Sequence, residues 1–322
     1  MSRIDIMIRM LIVAILLATF LPATGQAREI AQMVSNAAIF TLFFLNGIRL
    51  SRAQVFAGIR NWRLLLPLII WCFGIMAAAG WGLSIASQGL LPPLIALGLL
   101  YLGVLPSTVQ SATAYTSMAG GNVASSVVSA ALLNILGVFI SAPIFAWLSG
   151  GGYVDLGYDG LLRLFVILIL PFALGQFTQT RLASSLKQHP SLVGWMDRTA
   201  ISIAVYVAFS GAVEQDLWTK LDAASWSWLL VIICSLLAFA YFGAWLLSAA
   251  LSLDRGDRIS FTYAGGHKSL AMGAPLALVI FPPESAGLIL VPLLLYHLLQ
   301  LVASAPLANY FVRNEATIET RL

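Results

Sequence analysis

Charge is scarce in this chain. Of its 322 residues only 9% are Asp, Glu, Lys or Arg, while 60% are hydrophobic. Soluble globular proteins carry roughly 25% charged residues. That deficit excludes a soluble enzyme and a nucleic-acid-binding module, and the formal net charge of +4 comes mostly from arginines in short loops. Cysteine is scarcer still. Cys72 and Cys234 each sit in an apolar run, WCFGI and VIICSLL, where a free thiol acts as a small hydrophobe. No CxxC or HExxH spacing occurs, which excludes a disulfide framework and leaves no metal motif. Strict apolar–polar alternation is also missing, and a spanning β-barrel needs it.

Long apolar blocks fill the chain instead. A spanning helix takes about 20 residues, so the length suits roughly ten spans of an all-α polytopic membrane protein. They are expected at 7–22, 33–48, 64–86, 91–119, 122–149, 161–179, 197–213, 225–252, 258–281 and 284–311. Basic residues set the orientation. With both termini cytoplasmic, thirteen of the 17 Lys and Arg fall inside, among them Arg3, Arg49, Arg52, Lys187, Arg198, Arg255 and Arg321. Only Arg28, Arg163 and Lys220 fall outside, and Lys268 is left within a span. The expected location is the cell (inner) membrane. The start, MSRIDIMIRMLIVAILLATFLPATGQA, also has the form of a cleavable signal peptide. Cleavage would leave nine spans and remove the cytoplasmic start, so retention is the reading adopted. The string LPATG lies at the wrong end of the chain for a cell-wall sorting signal.

Sliding the chain by about 154 residues lays the first five segments roughly over the last five, the fourth overlapping the ninth imperfectly. The halves are then residues 1–158 and 159–322. Five helices per half place the two in opposite orientation, as inverted repeats. Matching positions in the halves carry two unusual segments. The fourth ends LPSTVQSATAYTSMAGGN (105–122) and the ninth contains FTYAGGHKSLAMGAP (261–275). Both are polar and punctuated by Gly and Pro at membrane depth, where a broken helix persists only against protein or a water-filled cavity. Taken singly, each is equally a packing feature, since Ser, Thr and Gly are common in membrane helices. Taken together, at equivalent places, they point to a transporter's binding site. The candidate residues are Ser107, Thr108, Gln110, Ser111 and Thr113 in the fourth segment, and His267, Lys268 and Ser269 in the ninth.

Lys268 is the sharpest of these. All thirteen acids are expected in loops, tails or helix ends, so no carboxylate answers it at depth. An ionised lysine at the bilayer centre costs about 3 kcal/mol on insertion scales. Three explanations stand: the amine is deprotonated, it faces backbone carbonyls at helix C-terminal ends, or it awaits an anionic substrate. Snorkelling to the interface is the bland alternative. Polar stripes add Asn122, Ser126 and Ser129 in the fifth segment, beside Ser125. His297 and Gln300 in the tenth, with Ser304, are read as support for the site. Asn46 and Asn134 are read as interhelical hydrogen-bond partners.

The stretches FFLNGIRLS (43–51), LPSTVQSATAYTSMAGGNVASSVVSAALLNILGVFISAP (105–143), GGHKSLAMGAPLA (265–277) and YHLLQL (296–301) resemble the bile acid:sodium symporter superfamily. The likeness is to its bacterial branch, close to the seventh vertebrate bile-acid carrier. The resemblance implies ten helices in two inverted five-helix repeats, a core domain with broken, crossing helices 4 and 9, and a panel domain that moves against it. In sodium-coupled members, hydroxyls and amides of helices four and five hold the ion with a Glu and a Gln of helix nine. Ser111 and Ser126 match the hydroxyl positions, so sodium, where present, would sit on them. The Glu position is Tyr263 here, the Gln position is His267, and a following Asn is Lys268. The defining carboxylate is therefore missing, and an ammonium beside the site would repel sodium.

The expected function is secondary transport of a small organic anion or amphipathic metabolite through the lipid bilayer. No cofactor and no nucleic-acid partner are expected, and the coupling ion is left open between sodium and a proton. Two other classes remain at this stage. A regulatory membrane protein that moves no substrate fits the same composition. An intramembrane enzyme using Ser269 with Lys268 or His267 fits poorly, because consecutive residues on a regular helix point about 100° apart.

Overall fold

The computed structural model describes residues 6–319 apart from 52, 54, 55, 57–59, 151–157, 217, 218 and 220. Arg3, Arg52, Lys220 and Arg321 of the charge asymmetry lie outside the described residues, as does the stretch just before the expected boundary between halves. The described residues are helical, with an isolated bridge between Gln88 and Leu91 as their sole β contact.

In chain order the helices are α1 (Ile6–Phe20), α2 (Gly25–Arg49), α3 (Trp62–Ala86), α4 (Pro93–Val104), α5 (Gln110–Met118) and α6 (Val123–Leu148). They continue as α7 (Gly160–Gln188), α8 (Pro190–Glu214), α9 (Ala223–Ala250), α10 (Arg255–Gly266), α11 (Leu270–Ile280) and α12 (Pro283–Glu319). Seven of them, α2, α3, α6, α7, α8, α9 and α12, are long and apolar enough to cross a membrane. α1 and α4 are apolar but shorter. Large apolar side chains cover the outside, including Phe177 at 82% exposure and Trp147 at 80%. Such a surface is expected where lipid, not water, is the solvent.

Local chemistry explains the interruptions. Pro93 starts α4 at a position where its missing N–H costs nothing. Pro106 then disfavours helical geometry at Leu105, which is extended at φ −77°, ψ 147°. α10 ends on Gly265-Gly266, and His267 beyond it is extended at φ −87°, ψ 145°. Ser269 restarts the chain as N-cap of α11, its hydroxyl accepting from Met272 N at 3.2 Å. Asn122, Asp222 and Asp254 cap α6, α9 and α10 in the same way.

Two glycine pairs allow close helix approaches. A Cβ on Gly80 would stand 2.5 Å from Leu99 O, and one on Gly103 2.7 Å from Met76 O, so α3 and α4 touch backbone to backbone. Gly47 of α2 and Gly175 of α7 face each other's backbones equally tightly. Salt bridges tie α2 to α8 at both ends. Arg28 reaches Glu214 at 2.5 Å and Glu284 at 3.8 Å, while Arg49 reaches Asp197 at 2.6 Å.

One expectation is corrected here. The seventh expected span, α8, begins at Pro190, not near 197, because Pro at the first helical position starts it ahead of the apolar run. Asp197 is consequently buried inside the helix, 5% exposed, and is not at a helix end.

Candidate functional site

The two interruptions meet. Ser269 N donates to Pro106 O at 2.9 Å, joining the break between α4 and α5 to the break between α10 and α11. Almost every carbonyl left free by the breaks has a donor. Val104 O accepts from Ser141 Oγ at 2.8 Å and Ser107 O from Asn134 Nδ2 at 2.6 Å. At the end of α10, Gly265 O accepts from Trp71 Nε1 at 3.2 Å and Gly266 O from the Tyr296 hydroxyl at 2.6 Å. Unwound backbone at this depth is thereby satisfied from within the protein, as a low-dielectric surrounding demands.

Lys268 lies at the centre, 0% exposed. Its Nζ donates to Leu105 O at 2.7 Å, Gly103 O at 2.8 Å and Cys72 O at 3.4 Å. An ammonium has three N–H donors and finds three acceptors here. Two belong to the C-terminal end of α4, where the helix dipole places partial negative charge. The third comes from the π-helical turn Trp71–Ile75 of α3. The Gly80–Gly103 contact brings these carbonyls to one nitrogen. Gln300 holds the lysine's backbone on both sides, with Lys268 N donating to Oε1 at 2.8 Å and Nε2 donating to Lys268 O at 3.2 Å. Snorkelling is set aside by this burial. Among the three explanations for an unpaired lysine, the geometry is that of backbone carbonyls at a helix end.

His267 is also fully buried. Its Nδ1 lies 2.9 Å from Ser111 Oγ and 3.2 Å from Thr108 Oγ1, and those two hydroxyls are 2.5 Å apart. On the other edge, Nε2 lies 2.9 Å from Ser304 Oγ, which is 2.7 Å from the Tyr241 hydroxyl. The Tyr263 hydroxyl donates to Ser304 O at 3.2 Å, and its ring stacks on Tyr115 with centroids 6.0 Å apart. The imidazole thus bridges two hydroxyl sets, one on the α4–α5 side and one on α12.

The remaining candidates scatter. Ser126 Oγ is approached by Thr116 at 3.3 Å and Thr113 at 3.4 Å, apart from the histidine. Ser107 is buried, and its hydroxyl has no partner among the described residues. Ser129 bonds back to Ser125 O at 2.6 Å, a local contact within α6. Asn122 caps α6 and donates to Asp257 Oδ1 at 2.8 Å, which places it at the helix end. Gln110 is exposed and lines a cavity with Arg49 and Lys187. His297 Nδ1 lies 2.8 Å from Gln300 Nε2, behind the lysine clamp. Asn134 does join two elements, whereas Asn46 Oδ1 lies 3.5 Å from Arg49 of its own helix.

Several participants carried no signal in the sequence. Cys72, Gly103 and Leu105 act through main-chain oxygens, which no side-chain pattern reveals. Trp71 and Tyr241 read as ordinary aromatic residues of apolar helices. Sodium, implied by the resemblance, meets an unsuitable donor set. Ser111 is committed to His267 and Thr108, Ser126 to two threonines, and the carbonyls of the crossing face an ammonium. Among the described residues, no group of three or more His, Cys, Asp or Glu converges as a metal site.

Comparison with known proteins places the chain in a family. A model of the SBF-like CPA transporter family matches residues 5–313. The Escherichia coli protein named "Putative symporter YfeH" is 34% identical over 317 residues, covering 97% of this chain and 94% of that protein. A Pseudomonas aeruginosa protein whose name, "Uncharacterized protein PA2026", assigns no activity is 36% identical over 304 residues, covering 94% and 91%. The mouse "Sodium/bile acid cotransporter 7" is 25% identical over 283 residues, covering 85% and 82%.

Proposed function

The chain belongs to the SBF-like CPA transporter family, and from that premise we propose that it is a secondary transporter of an organic anion or amphipathic metabolite in which Lys268 stands in the place of sodium. Its family is one of transporters, which sets the enzyme reading aside. Ten spans in two inverted five-helix repeats, 1–158 and 159–322, form a core built on the two crossing breaks and a panel that moves against it. Both termini face the cytoplasm across the inner membrane. The binding residues are Thr108, Ser111, Tyr263, His267 and Ser269 around the crossing, with Ser107, Thr113 and Ser126 beside it.

The observation that carries this reading is the contact of the Lys268 amine with Leu105 O, Gly103 O and Cys72 O. A sodium ion needs a shell of oxygens and a nearby negative charge. The oxygens are here, no carboxylate is among them, and a resident cation already occupies them. Transport then proceeds without a sodium gradient, as uniport or linked to a proton. The test is uptake into vesicles of labelled organic anions, beginning with taurocholate, with and without sodium. Wild-type uptake is expected to ignore sodium and to fail in Lys268→Ala and Lys268→Gln. Uptake that needs sodium and survives loss of Lys268 refutes the proposal.

A further inference from the structure

The last turn of α2 carries Arg49 into a cavity of about 430 Å³ that extends to Gln110 at the start of α5. The size falls within the usual range for small-molecule sites. Lys187, Gln110, Gln179 and Thr180 share its lining. Gln179 is spent on the carbonyls that end α2, Ile48 O at 3.2 Å and also Leu50 O. Lys187 has no salt-bridge partner among the described residues. Ile48, Leu186 and Val193 supply apolar walls. Two cations above apolar walls suit an amphipathic anion, a carboxylate or sulfonate with a hydrocarbon body.

Arg49 already holds one carboxylate. Its Nη1 donates to Asp197 Oδ2 at 2.6 Å, and its Nη2 lies 3.5 Å from Val193 O. Asp197 is buried, and its second oxygen, Oδ1, has no hydrogen-bond partner among the described residues. The charged groups acting on it are Arg49 from α2 and Arg198 on its own helix, whose guanidinium lies 6.0 Å from the Trp195 ring. Lys187 stands at the end of α7 and His189 is the N-cap of α8. A ligand anion on the same guanidinium would repel an ionised Asp197 through low-dielectric surroundings. A proton on the vacant Oδ1 removes that repulsion and frees the guanidinium for bidentate binding.

We propose that this cavity binds an amphipathic organic anion on Arg49 and Lys187, and that Asp197 takes up one proton for each anion bound. The inference rests on the anion-transport reading above and names the coupling ion. One proton enters from water to Asp197 Oδ1, one anion docks on Arg49, and no covalent bond other than that O–H changes. The pair moves without net charge.

The test is equilibrium dialysis of labelled naphthalene-2-sulfonate against the full chain in lipid nanodiscs. The sulfonate stays ionised, so any pH dependence belongs to the protein. Affinity is expected to rise as pH falls, by up to about tenfold per unit over the range where one proton is linked to binding. Asp197→Asn should bind at the low-pH wild-type level with no slope. Arg49→Gln alone orphans a buried carboxylate, so the double variant Arg49→Gln/Asp197→Asn is the informative one. It should bind at least tenfold more weakly than Asp197→Asn, and Lys187→Gln should weaken binding while keeping the slope. A flat wild-type profile, or a double variant that binds as tightly as Asp197→Asn, overturns the proposal. Counterflow separates the two claims. Exchange untouched in the double variant removes this site and leaves transport standing. Sulfonate binding with the expected slope but no exchange of any anion removes transport and leaves the site.

Discussion

Replacing Lys268 by Met removes the ammonium while keeping most of the side chain's volume, so the change reads the charge and its hydrogen bonds more than a cavity. The contacts to Leu105 O and Gly103 O, at 2.7 and 2.8 Å, are short and charge-assisted, whereas the 3.4 Å contact to Cys72 O adds little. Hydrogen bonds to charged groups contribute roughly 1.5–3 kcal/mol each, so the two short ones together account for about 3–6 kcal/mol. By the usual scaling the thermal midpoint should fall on the order of 10 °C. Intrinsic tryptophan fluorescence of the protein in nanodiscs reads that midpoint. Lys268→Ala adds a second arm, because it leaves room for a free alkylammonium. Ethylammonium in the buffer should restore part of the lost stability, and tetramethylammonium, which has no N–H to donate, should not. Exchanging sodium for choline should leave the wild-type midpoint unchanged, since an ion that binds only the folded state would raise it with concentration. A Met variant as stable as wild type, or a wild-type midpoint that climbs with sodium, refutes the reasoning.

Gly103→Ala forces a Cβ to within 2.7 Å of Met76 O; overpacking of this kind costs about 1–3 kcal/mol, whereas Gly82→Ala, with nothing within 4 Å, should be neutral or mildly stabilising in the same melt. Asn134→Leu strips Ser107 O of its 2.6 Å donor, and the orphaned carbonyl should lower stability by about 1–3 kcal/mol, seen in melts and in faster amide exchange around the first break. Asp222 lies outside the spanning segments, and the Ser225 hydroxyl and backbone N–H hold its carboxyl below the usual carboxylate range. A depressed value means the cap is fully stabilising above the ordinary carboxylate range and is lost as pH falls through the lowered one. The wild-type midpoint should therefore approach that of Asp222→Ala only in acid, while Asp222→Asn, a neutral cap of similar quality, should show no such pH dependence.

The interruptions were legible because backbone rules act locally. Pro106 disfavours helical geometry at the residue before it, Gly265-Gly266 weaken the helix they end, and Ser269 announces a restart. Lys268 was legible as a buried cation because apolar sequence surrounds it for about ten residues on either side. Its partners were not, since Leu105, Gly103 and Cys72 contribute oxygens that every residue possesses. Ser129 and Asn122 show the opposite case. Their polarity is real but is consumed locally, by a back-bond to Ser125 and by a helix cap. Asp197 was placed at a helix end because hydropathy begins the seventh expected span too late, and its pairing with Arg49 spans 148 residues of sequence. Contacts across that distance leave no trace in spacing.

The bond from Ser269 N to Pro106 O has a kinetic consequence. Straightening either interruption breaks the bond that both share, a contact worth about 1 kcal/mol, so each break favours the other. Their amides should therefore exchange with solvent in one correlated event, at a common rate, despite lying far apart along the chain.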